Sequence, residues 1–147
     1  MDKGIFLEPG EGKSFTARGS AMVFKALHET TDGIFSFMER ELPVSNRRPQ
    51  PHRHEGPEGF YVLDGSIEFA IDGESRVGGP GFWALAPRRV AHTFGNAGDS
   101  PARLLIIHAP AADAYFADLE ALWKNSTPTP EAERALMKQH GLEPVES

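Results

Sequence analysis

Between about residue 20 and residue 108 the chain never keeps an apolar run going for long before a turn residue interrupts it, and this rhythm constrains the fold most. Strands are expected near Ala21–Leu27, Ile34–Leu42, Glu58–Leu63, Ser66–Ile71, Phe82–Leu85, His92–Asn96 and Ala102–His108. Asp64-Gly65 and Asp72-Gly73 suit tight hairpin turns, because Asx-Gly pairs adopt the positive φ angles such turns need. With 147 residues, the chain can bury about two-thirds of its unfolded surface around one core. The expected fold is all-β: a single domain built on a small antiparallel barrel over about 20–108, followed by helices.

The helical part is expected over about 111–141. Tyr115, Phe116, Leu119, Leu122 and Trp123 recur at spacings of three and four, the stripe of a helix that packs on the barrel. Thr129 as N-cap, Pro130 at the first helical position, Glu131 in the first turn and Gly141 as the stop mark a second helix. These helices either close a cavity mouth or form a dimer contact.

Charge and composition exclude several classes of partner. Against 21 Asp and Glu stand 15 Lys and Arg, a formal net charge of −6, so no general attraction draws the chain to nucleic acid or anionic membrane. No cysteine is present, which leaves nitrogen and oxygen as metal ligands. No stretch approaches a membrane span, and MDKGIFLEPGEGKSF lacks an apolar signal core, so a cytoplasmic protein is expected.

One constellation carries chemistry. His52 and His54 stand two apart, a spacing that on a strand puts both side chains on one face about 6.5 Å apart. Gly56-Pro57 then bends the chain and returns Glu58 beside them, and His92 adds a fourth donor. If Glu58 and His92 face inward, alternation sends Phe60, Val62 and Phe94 inward too, as an apolar wall that packs as core, contacts substrate, or does both. Arg47, Arg48, Arg53, Arg88 and Arg89 read as solvated surface, and His28, His108 and His140 as structural or surface residues without partners at ligand spacing. Three imidazoles and a carboxylate suit one divalent transition metal, Fe, Mn, Co, Ni or Zn, with open coordination positions for a small-molecule substrate.

Both segments resemble the signature motifs of the cupin superfamily. The first holds His52, His54 and Glu58 with Gly65 seven residues on; the second holds Gly81, Pro87, His92 and Asn96. The resemblance implies a double-stranded β-helix, or jelly roll, with His52, His54, Glu58 and His92 as metal ligands. Asn46 and Arg89 stand where the pattern has glycine. LEPGEGKSF, ALHETTDGIFSFMERELP and TPTPEAERALMKQHGLEP look more narrowly like quercetin dioxygenase-like single-barrel cupins. That likeness implies a metal-dependent dioxygenase that uses O2 on a flavonol, diketone or similar enolisable compound, with Glu58 as catalytic base; a homodimer is expected. A non-redox isomerase, lyase or decarboxylase, or a metabolite sensor without turnover, are the alternatives.

Overall fold

The computed structural model describes residues 3–45 and 48–145. Asn46 and Arg47 therefore lie outside the described residues. In chain order come β1 (Lys13–Ala17), β2 (Ser20–Ala26), the one-turn α1 (His28–Thr31), β3 (Ser36–Leu42), β4 (His52–Arg53) and β5 (Glu58–Asp64). Next are β6 (Ile67–Ile71), β7 (Glu74–Gly78), β8 (Trp83–Ala86), β9 (His92–Asn96) and β10 (Ala102–His108). Helices α2 (Asp113–Trp123) and α3 (Pro130–Gln139) and the short β11 (Glu143–Pro144) complete the order.

The strands form two antiparallel sheets, a six-stranded one in the order β1-β2-β3-β10-β5-β8 and a five-stranded one in the order β11-β4-β9-β6-β7. Their inner faces share one core, in which Phe60 packs against Phe69 and Phe94 at centroid distances of 5.2 Å each. This is the jelly roll, all-β with C-terminal helices. Among the described residues the two sheets share no strand, so the architecture is a sandwich rather than a continuous barrel.

Strand β1 begins before residue 20, and it and β7 have no counterpart among the expected strands. β1 buries only Phe15 and Ala17, and β7 is exposed except at Gly78, so neither shows a strong apolar alternation. β7 forms through register, because the hairpin at Asp72-Gly73 delivers Glu74 opposite Ile71. Asp72 and Gly73 have φ of 53° and 78°, the paired positive angles of a type I′ turn. Arg89 adopts the positive φ, 63°, that its glycine-like position demands.

Helix α2 lies along β1 and buries Tyr115, Phe116 and Leu119, with Phe116 5.7 Å from the ring of Phe24. The Thr129 hydroxyl accepts from the Ala132 amide at 3.1 Å to cap α3. From α3, Met137 and Glu133 turn inward.

Candidate metal centre

Two strand pairings build the site. In the five-stranded sheet His52 of β4 lies opposite His92 of β9, and in the six-stranded sheet Glu58 of β5 lies opposite His108 of β10. His54 follows just after β4, at the bend before Glu58. One donor atom from each of His52, His54, Glu58 and His92 falls within 4.8 Å of the others.

Each of the three imidazoles turns its Nδ1 to a backbone carbonyl: His52 to Gln50 at 2.6 Å, His54 to Gly56 at 2.8 Å and His92 to Val90 at 2.9 Å. A carbonyl only accepts, so each Nδ1 carries the proton and each Nε2 keeps its lone pair. Two of those Nε2 atoms meet Glu58 Oε1, from His54 at 3.1 Å and from His92 at 2.9 Å. Lone pairs then face a carboxylate oxygen, an arrangement that needs either an extra proton or a cation between them. These donors fit a divalent first-row cation: neutral imidazoles with their tautomers fixed by outer partners, plus one ionised carboxylate.

The titration behaviour follows from the same contacts. Burial by itself raises the Glu58 carboxyl, but the charge and hydrogen bond of His108 and the bonds from His54 and His92 outweigh it, holding the group well below the usual carboxylate range. Burial and the neighbouring His92 push His52 down to about 4. Burial lowers His92 as well, yet its bond to Glu58 wins and leaves it above its ordinary value. Glu58 is therefore ionised near neutrality, and its bond to His92 favours the protonated form of that ring.

Gly56 is fixed by close approach. A Cβ there would overlap the carbonyl oxygen of Ala109, on the segment after β10. Gly56→Ala should push the 54–57 bend outward, separate the His54 ring from its carbonyl partner and cost about 3 kcal/mol of stability. Urea unfolding with elemental analysis checks this; a variant as stable and as metal-rich as the parent would refute the packing argument.

The cluster opens into a cavity of about 250 Å³, which His52, His54, Glu58 and His108 line together with Arg18 and Arg40. Its apolar wall includes Pro57, Phe94, Ala112, Tyr115, Phe116 and Leu142, so α2 and the segment after α3 cover the cavity. Of the three side chains expected to contact substrate, Phe94 lines the cavity, whereas Phe60 and Val62 are fully buried in the core beneath it. Surface ion pairs hold the motif arginines: Arg48 with Glu68, Arg53 with Glu143, and Arg88 and Arg89 with Glu55. His28 pairs with Asp113, and His140 pairs with Asp118 at the cavity rim.

Three site residues lie outside the sequence expectation. His108 Nε2 sits 3.1 Å from Glu58 Oε2, while its buried Nδ1 has no partner among the described residues. Arg40 and His108 occupy the same alternating inward rows as Met38 and Leu42 on β3 and as Leu104 and Ile106 on β10. That alternation was the available signal. Arg18, in the β1–β2 turn, carried none.

Residues 38–108, just under half of the chain, match the family model described as the cupin domain. Solved structures share the fold. KdgF from Halomonas sp. aligns with a TM-score of 0.65 at 21% identity, over 76% of this chain and 98% of that one. The polyketide cyclase RemF from Streptomyces resistomycificus aligns with a TM-score of 0.62 at 22% identity, over 73% and 80%. A predicted oxalate decarboxylase from Thermotoga maritima aligns with a TM-score of 0.63 at 18% identity, over 72% and 99%. No curated protein matches. The family match is confined to residues 38–108, and the solved structures share the fold. No helix among the described residues is long and apolar enough to cross a membrane.

Proposed function

We propose that this chain is a metal-dependent enzyme acting on a small enolisable molecule, and that the reaction is a dioxygenation. The carrying observation is the division of labour at Glu58: Oε1 faces the imidazole cluster and Oε2 faces His108, at the end of an apolar cavity. A divalent cation held by His52, His54, Glu58 and His92 supplies Lewis acidity toward an enol or keto oxygen. The chain's own residues do the rest. Glu58 accepts the substrate proton, His108 orients the accepting oxygen, and Phe94, Tyr115 and Phe116 exclude water from the reacting end. At about 250 Å³ the cavity lies just under the roughly 300–1,000 Å³ common for drug-sized ligands, which favours a compact diketone or keto acid over a full flavonol.

A second reading has its own support. His108, buried against Glu58, offers a place to hold a proton and return it to carbon, which an isomerase, lyase or decarboxylase needs and ring cleavage does not. Oxygen-electrode assays on protein reconstituted with Fe(II), Mn(II), Co(II) or Ni(II) separate the two. We expect an enolisable aromatic diketone to disappear together with O2. Equal turnover under argon would replace dioxygenation by the non-redox reading, and binding without product would replace both by a sensor.

A further inference from the structure

We infer that Arg18 and Arg40 form an anion-binding subsite in this cavity, so that the substrate carries a carboxylate or comparable anionic group besides its enolisable part. The inference deepens the reading above and rests on it for the location of the reacting end. Both arginines line the cavity that the His-Glu cluster lines, and they are only 7% and 3% exposed. Two buried guanidiniums that repel each other are costly unless anions compensate them. The compensation within the described residues is incomplete.

Arg18 donates through Nε to Glu133 Oε2 at 3.1 Å, but that same oxygen also accepts from Trp123 Nε1 at 2.6 Å. The buried Nη2 of Arg18 has no partner among the described residues. Arg40 donates through Nε to the Ser20 hydroxyl at 2.8 Å and lies over the Phe94 ring at 5.3 Å, with no carboxylate at ion-pair distance among the described residues. Burial pushes the Tyr115 phenol up, so that neighbour adds no negative charge near neutrality. Burial and then the charge of Arg18 lower Arg40 to about 9, with the more distant charge of Glu58 offsetting them only in part, and Arg40 stays protonated at neutral pH.

The backbone gives the same indication. Arg18 and Gly19 span the β1–β2 turn with φ of 54° and 73°, where Asn or Gly fits without the strain an arginine bears. An arginine placed there delivers a rigid fork of donors to a buried site, and forks of this kind match carboxylates. Phe94, Tyr115 and Phe116 border the same space, so the ligand class is a small acid with an apolar or aromatic body.

Phenylacetate and its neutral counterpart phenylacetamide are the probes, titrated by calorimetry into the full chain as purified and after chelation. The chelated sample removes carboxylate binding at a metal. We expect phenylacetate to bind the chelated protein at least about tenfold tighter than the amide. Arg18→Gln and Arg40→Gln should each abolish most of that preference, and Arg103→Gln, in an exposed pair with Glu39, should retain it. Should a variant fail to fold, the guanidinium ¹⁵N–¹H resonances of Arg18 and Arg40 in the unaltered protein should shift with phenylacetate and not with the amide. Equal affinity for acid and amide, no binding of either, or a preference that survives in both variants overturns the subsite. Metal content, measured in parallel, keeps the two readings apart: acid preference without metal uptake sinks the metal reading alone, and metal uptake without acid preference sinks this one alone.

Discussion

Elemental analysis of a His52→Ala/His92→Ala double variant should return essentially no divalent metal, against about one ion per chain in the reconstituted parent. The two rings face each other across β4 and β9, with centroids 4.6 Å apart, and both are fixed by backbone carbonyls. Even an outer partner of a metal ligand is typically worth 10–100-fold in affinity, so deleting two inner donors should weaken binding by more than about 10⁴-fold. Turnover should disappear with the metal. A circular-dichroism spectrum like the parent's distinguishes this from collapse of the fold. If the double variant keeps its metal, these four residues are not the site.

Glu58→Gln should keep most of the metal and lose at least about a hundredfold in turnover at saturating metal. The amide oxygen can occupy the place of Oε1 beside His54 and His92, and the amide nitrogen can face His108 Nε2, so the packing survives. What the amide lacks is the capacity to accept a proton. The depressed pKa of Glu58 suits a substrate proton already acidified on binding. His54→Ala should behave oppositely, with metal content falling first. A fully loaded Glu58→Gln protein that turns over near the parent rate would leave Glu58 a ligand at most.

Which parts of this could be read in advance depended on how local their cause was. The bounds of β9 and β10 agree with the sequence reading: flanking turn residues mark both strands, and β10 adds a period-two alternation. The candidate cluster of His52, His54, Glu58 and His92 was expected from spacing and motif resemblance, and its four donor atoms lie within 4.8 Å of one another. Phe60, Val62 and Phe94 were all expected inward and all are buried, but alternation says only which face a side chain takes. Whether it meets the cavity or the core is decided by the opposite sheet, and there only Phe94 reaches the cavity. Arg18 was invisible for a similar reason. A charged residue at a hairpin turn ordinarily reads as solvated, and its burial is imposed by α2 and α3, more than ninety residues away, through Glu133.

The pairing of β4 has a consequence for the order in which the chain acquires its chemistry. The two-residue strand bearing His52 is flanked by β9, forty residues onward, and by β11, whose Glu143 lies ninety residues from Arg53. Neither neighbour has left the ribosome when His52, His54 and Glu58 emerge. During synthesis the three donors of the first motif are thus an unfinished claw, able to touch a cation without enclosing it. On the reading proposed above, an ion would be enclosed only once the later elements fall into place, when β11 flanks the strand bearing His52 and α2 covers the cavity.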